Sequence, residues 1–83
     1  MVQITHVRFD GQGTSAEHIV MLRWRQAIGD TNIFDIIKWI ESGGIAKVND
    51  EDVKVVREPG RSPYLVTVAA GKPTQSIIEL PRF

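Results

Sequence analysis

Residues 32–44, Asn-Ile-Phe-Asp-Ile-Ile-Lys-Trp-Ile-Glu-Ser-Gly-Gly, decide the fold. Asn32 followed by Asp35 has the spacing of a capping box, with Asp in place of the usual Glu, which marks a helix start. Ile33, Phe34, Ile36, Ile37, Trp39 and Ile40 then recur at helical spacing, and Gly43-Gly44 supply the stop. At about 100° per residue, Ile33, Ile36, Ile37 and Ile40 form the centre of an apolar stripe. Phe34 and Trp39 lie at its two margins, while Asp35, Lys38 and Glu41 face water. A single amphipathic helix over about 32–42 must bury its stripe against another layer, and the flanking sequence reads as strands.

Before the helix, residues 2–9 are rich in β-branched and aromatic types and end in the turn cluster Asp10-Gly11-Gln12-Gly13. Residues 18–25 fit two templates. Ala16, Ile19, Val20, Trp24 and Ala27 make a helical stripe, whereas Val20, Leu22 and Trp24 alternate with Met21, Arg23 and Arg25. The strand reading is preferred because alternation gathers both arginines on one face and the three apolar residues on the other. After the helix, residues 45–49 and 53–57 flank Asp50-Glu51-Asp52 as a hairpin, and Glu58–Pro63 is a loop. Residues 64–69 form a strand, Gly71–Thr74 a turn, and residues 76–80 a last strand stopped by Pro81. The expected architecture is an α+β domain spanning residues 1–83. It has a small antiparallel sheet of about five to six strands with one amphipathic helix packed on one face, in the order strand, strand, helix, strands. The run Tyr64–Ala69 carries no charge, so it belongs inside the sheet with a neighbour on each side, which favours a monomer over a weak homodimer.

The 83 residues include ten Lys+Arg, ten Asp+Glu, two His and no Cys. A chain of that length makes one small domain with little stability to spare for a deep cleft. Zero formal charge argues against a surface that attracts nucleic acid or anionic lipid as a whole, though not against a local patch. The absence of Cys removes thiolate chemistry, disulfides and Cys-based zinc, and two distant histidines make structural zinc unexpected. The N-terminus has no signal-peptide pattern, and no segment reaches the roughly 18 apolar residues of a spanning helix. The expectation is a cytoplasmic domain with no membrane contact and no cofactor.

Several stretches together resemble a known family. They are Ile4-Thr5-x-Val7-Arg8, Ile19 with Arg23-Trp24, Trp39-Ile40-Glu41-x-Gly43-Gly44, Tyr64-Leu65-x-Thr67, and Ile77-Ile78-x-Leu80-Pro81. In this order they are similar to the small, mostly bacterial proteins of unknown function numbered 3892. The resemblance implies one compact domain and no established activity or cofactor. The chain departs from that pattern at Ala70, where members tend to carry Asp, and at Gln75-Ser76, where they carry Asp-Asn.

Motifs that carry chemistry are weak. Gly11-Gln12-Gly13-Thr14-Ser15-Ala16 matches a dinucleotide-binding pattern, but the chain is too short for that fold, and Thr14 or Ser15 is better placed to cap a helical turn at 15–18. Asp50, Glu51 and Asp52 are adjacent and cannot all converge on one cation. No serine sits in a nucleophile elbow, and His6 and His18 fall on different strands with opposite facing. A hairpin with Phe9 opposite His18 would put Thr5, Val7, Phe9, Val20, Leu22 and Trp24 on the core face. Ile4, His6, Arg8, Met21, Arg23 and Arg25 would then share the outer face. Arg8, Arg23 and Arg25 are therefore the candidate anion or nucleic-acid contacts, and Phe34 and Trp39 the candidate partner contacts. The functional expectation is a small non-enzymatic binding or interaction module with an unknown protein partner. The alternative is a weak nucleic-acid-associated protein using the arginines.

Overall fold

The computed structural model describes residues 1–25 and 30–83. Along the chain run β1 (Val2–Phe9), a 3-10 turn (Ala16–His18), β2 (Ile19–Trp24), β3 (Thr31–Asn32), α1 (Ile33–Glu41), β4 (Ala46–Val48), β5 (Glu51–Val56), β6 (Tyr64–Ala69) and β7 (Lys72–Thr74). Among the described residues this is one α-helix with a seven-stranded sheet in the order β3-β2-β1-β4-β5-β6-β7. The α+β class holds, with more strands than the five to six expected and with a third strand, β3, ahead of the helix where two were expected. Ala27, part of the rejected helical stripe, lies outside the described residues.

α1 forms where the sequence predicts it. The Asn32 side chain accepts the backbone N–H groups of Phe34 at 2.7 Å and Asp35 at 3.3 Å, satisfying two orphan donors. At the other end Gly44 N–H reaches the Trp39 carbonyl at 2.9 Å and Gly43 N–H the Ile40 carbonyl at 3.1 Å, with Gly43 at φ +109°. That is a Schellman stop, and its left-handed residue favours glycine. Ile33, Ile36 and Ile37 are buried and Ile40 partly so, packed with Val7, Leu22, Val48, Val53 and Leu65 in one cluster.

The sheet departs from the expected one in three ways. It is mixed, because β1 and β4 run parallel through Val2↔Ala46 and Gln3↔Lys47. The chain between them passes through β2, β3 and α1, the long crossover a parallel pair requires. β1 and β2 are antiparallel but in a different register. Phe9 sits opposite Ile19 and Val7 opposite Leu22, with irregularities between Ile4 and His6 and between Arg8 and Phe9. Each bulge inserts one residue, Thr5 on β1 and Val20 on β2, and each exchanges the faces on either side of it. Ile4 and Ile19 are consequently 3% exposed and in the core, whereas Val20 is 36% exposed.

The third departure lies at the C-terminus. Ala70 and Gly71 both have positive φ, 53° and 77°, so the two of them form the β6–β7 turn and Lys72–Thr74 becomes a strand. A left-handed alanine costs roughly 1–2 kcal/mol, and an Asp or Asn there would bear it more easily. Pro73 is tolerated because β7 is an edge strand. β6 does lie between two neighbours, β5 and β7, as its uncharged sequence requires. Residues 76–80 turn rather than extend, with Ile78 and Glu79 N–H groups returning to the Gln75 carbonyl at 3.1 and 3.2 Å. A five-residue stretch with three apolar residues cannot distinguish a strand from a turn by period, and here Ile77 is only 1% exposed. The β4–β5 turn is likewise Asn49-Asp50, at φ 48° and 69°, one residue earlier than expected, which places Glu51 and Asp52 in β5.

Glu51 gains a role from that placement. Thr74 Oγ1 donates to its carboxylate at 2.6 Å and Ser76 Oγ at 2.7 Å. Thr67, fully buried, sits 2.7 Å from the Thr74 hydroxyl and accepts the Ile77 N–H at 3.2 Å. The network joins β5, β6, β7 and the 76–80 turn. The Thr74 and then the Ser76 hydrogen bond hold the Glu51 carboxyl below its ordinary 4.5 against a smaller opposing effect of desolvation.

Two expectations follow. Ile37→Ala should lower stability by about 2–4 kcal/mol in urea denaturation, through lost burial and a residual cavity. Because Glu51 binds its proton more weakly when folded, its contribution is complete above 4.5 and is lost as pH falls through the depressed folded value. Denaturation midpoints measured across that acid range should fall less steeply in Glu51→Gln than in the parent.

Candidate functional site

The outer face of β1 and β2 carries His6, Arg8, Met21 and Arg23, with His6 opposite Arg23 and Arg8 opposite Met21. Arg8 and Arg23 therefore share the outer face of β1 and β2, while Arg25 follows the end of β2 in a turn. Thr5 and Ile4 exchange places relative to expectation because of the first bulge, and Thr5 Oγ1 donates to the Arg23 carbonyl at 3.1 Å.

The arginines do not form one uniform patch. Residues 81–83 run along β1 beyond the reach of β4. Val7 N–H donates to the Pro81 carbonyl at 3.0 Å, and Phe83 N–H donates to the Val7 carbonyl at 3.3 Å. This sets the Phe83 ring under two guanidinium groups, Arg8 at 4.7 Å and Arg23 at 4.3 Å from its centre, with the His6 ring edge-on at 6.5 Å. Arg8 Nε donates to the main-chain oxygen of Phe83 at 2.9 Å, and Arg23 Nε to Asp30 Oδ1 at 3.0 Å. Arg25 stands apart, lining a 340 Å³ cleft with Gln3, Thr5, Asn49, Ser76 and Glu79. Sequence reasoning missed Phe83 and Asp30. Asp30 offers a weak signal, an acid seven residues after Arg23, but nothing local brings Phe83 to β1.

Phe34 and Trp39 part ways. Phe34 is 59% exposed and lines a 510 Å³ groove with Val20, Met21, Ile33 and Pro63. The bulge at Val20 turns that side chain out beside Phe34, so two apolar residues from separate elements meet at one concave surface. β3 pairs with β2 only opposite Met21 and Leu22, so β3 stops short of Ile19 and Val20 along that edge. Trp39 is also exposed, at 36%, but one side of its ring lies over Gly44, where an added Cβ would come within 2.3 Å of the indole. With Trp24, whose Nε1 donates to Thr31 Oγ1 at 2.9 Å, it walls a 380 Å³ hollow beside Val2.

The remaining motifs are local structure. Ser15 caps the 3-10 turn, with its hydroxyl 2.9 Å from His18 Nδ1 and its N–H donating to the same nitrogen. His18 ends that turn rather than lying on a strand, and its ring fills the space where a side chain at Gly13 would be. The second glycine of the Gly-x-Gly pattern thus makes room for His18. Arg57 fills both arms of its fork on Glu41, with Nε and Nη2 each at 2.6 Å, tying β5 to the end of α1 and keeping the Glu41 carboxyl below its usual value. Among the described residues, no three His, Cys, Asp or Glu side chains converge to hold a metal, and no helix is long and apolar enough to cross a membrane.

A family model described as a protein of unknown function, DUF3892, matches residues 3–81. No curated protein and no solved structure matches the chain.

If Trp39 is seated by Gly44, then Gly44→Ala must displace the indole. In a Trp24→Phe background this should shift the Trp39 emission to longer wavelength and cost about 1–3 kcal/mol of stability, as overpacking does. An unshifted spectrum would show that the ring rests elsewhere.

Proposed function

The chain belongs to the DUF3892 family, and on that footing we propose that it is a small, monomeric, non-enzymatic interaction module of the cytoplasm, one that receives an extended apolar segment of a partner protein in the groove beside Phe34. The observation that carries this reading is the convergence of exposed Phe34 and exposed Val20 on one groove. Aromatic anchors in concave surfaces dominate protein recognition. The extended form of the partner follows from β2. Val20, the bulge residue beyond the β3 pairing at Met21 and Leu22, is where an added strand would lie, and alternate side chains of that strand would meet Phe34 and Pro63.

The nucleic-acid reading through Arg8, Arg23 and Arg25 has less support. Asp30 lies 3.0 Å from Arg23, and Glu79 shares the cleft that Arg25 lines. A face that draws a polyanion needs unopposed cations, since each neutralised arginine removes one released counterion from the binding.

Selection of random peptides displayed on phage tests the reading. Enriched peptides should carry apolar anchors at alternate positions. They should bind the parent and Arg8→Gln equally and lose binding to Phe34→Ser. Phe34 is exposed, so that substitution should leave stability within about 0.5 kcal/mol of the parent. Failure to enrich, or equal binding to Phe34→Ser, would remove the groove as the contact surface.

A further inference from the structure

Both tryptophans of the chain meet at one hollow. Trp24, at the end of β2, and Trp39, near the end of α1, wall a space of 380 Å³ that Val2, Thr31, Asp35 and Ile36 also line. Asp35 and Trp39 are four residues apart on α1 and so share one face of it. Both rings are anchored, Trp24 through its Nε1 hydrogen bond to Thr31 Oγ1 at 2.9 Å and Trp39 against Gly44. Yet neither is sunk in the core, since Trp24 is half-buried and Trp39 exposed. The carboxylate of Asp35 stands at the same hollow. Glu17, Asp30, Glu41 and Asp52 are each paired with a Lys or Arg. Among the described residues Asp35 has no such partner, and Lys38, one turn along α1, is not paired with it.

We propose that this hollow binds the quaternary ammonium group of a small organic cation of about the size of choline. Two indoles and a carboxylate converge on one space, and each attracts a cation, tryptophan being the strongest of the aromatic side chains in this respect. An anion would be repelled by Asp35. A primary ammonium is strongly hydrated and carries three donors. The side chains lining the hollow offer acceptors only at Asp35 and at Thr31, whose hydroxyl already accepts the Trp24 N–H. A quaternary ammonium needs no acceptor, and its methyl groups can also bury apolar surface against Val2 and Ile36. The volume lies near the lower end of the roughly 300–1,000 Å³ typical of small-molecule sites, which fits a small cation. Because the rings are already anchored, binding does not have to order them.

The test is a titration of the full chain with choline chloride against sodium chloride at matched ionic strength. It is read by tryptophan emission and by the indole N–H signals in a 1H–15N spectrum. Since the two tryptophans both wall the hollow, all the indole emission reports on it. Choline should give a saturable change at both rings, with half-saturation at about 1–10 mM. Dimethylbutanol, its neutral isostere with carbon in place of nitrogen, should bind at least about fivefold more weakly, and glycine betaine, which adds a carboxylate, more weakly as well. Trp39→Leu, which keeps apolar bulk and removes the ring quadrupole, should weaken choline by about fivefold or more. Asp35→Asn, at an exposed position, should weaken it by about twofold to fivefold. Phe34→Ser and Arg8→Gln should leave it unchanged. No saturation by about 100 mM, equal binding of dimethylbutanol or betaine, or undiminished binding by Trp39→Leu would each overturn the proposal. Binding of a trimethyllysine peptide about a hundredfold tighter than choline, lost in the same variants, would replace the small cation with a methylated protein. Since Phe34→Ser tests the peptide groove alone, either reading can fail without the other.

Discussion

The packing of Ile33, Ile36 and Ile37 into the hollow of a curved sheet is the contact on which the rest of the molecule depends. A chain this short buries only about 60–65% of its unfolded surface, so no second core can replace this one. The described α-helix must meet strands from both halves of the sequence at once. β2 and β3 lie on one side of β1, while β4 to β7 lie on the other. The sheet curls around the helix until the 3-10 turn after β1 comes against β6, and Arg61 pairs with Glu17 across that approach. The 76–80 turn then places Ile77 in the core, its N–H bonded to the Thr67 hydroxyl.

β1 is where this curvature shapes a candidate surface. Only Val2 and Gln3 pair with β4, and farther along β1 its free edge takes Arg82 instead. That short pairing brings Phe83 onto the outer face and gathers Arg8, Arg23 and His6 around one ring. The bulge at Val20 has the corresponding effect on β2, turning an apolar side chain outward beside Phe34. Bulges are a recurrent means of re-aiming side chains at binding surfaces, and both of these surfaces adjoin one. The two surfaces differ in chemistry. One presents held cationic donors, and the other an apolar groove at a strand edge.

The helix with both its caps, the hairpin strands and the interior place of Tyr64–Ala69 could be read from the sequence, because each depends on neighbours within a few residues. Asn32 caps amides two and three residues on, and Gly43 stops the helix through its own backbone freedom. The outer-face placement of Arg8 and Arg23 was also legible, since alternation survives between the two bulges. Tertiary structure alone decided the bulges, the parallel β1–β4 pair, the Ala70-Gly71 turn that makes Lys72–Thr74 a strand, and the meeting of Phe83 with the arginines. A register shift changes no local propensity. It is selected by which residues fill the core, Ile4 and Ile19 in place of Thr5 and Val20. Phe83 reaches Arg8 across 75 positions of sequence, and only the assembled sheet, which leaves β1 an open edge at Val7, gives it a place to bind.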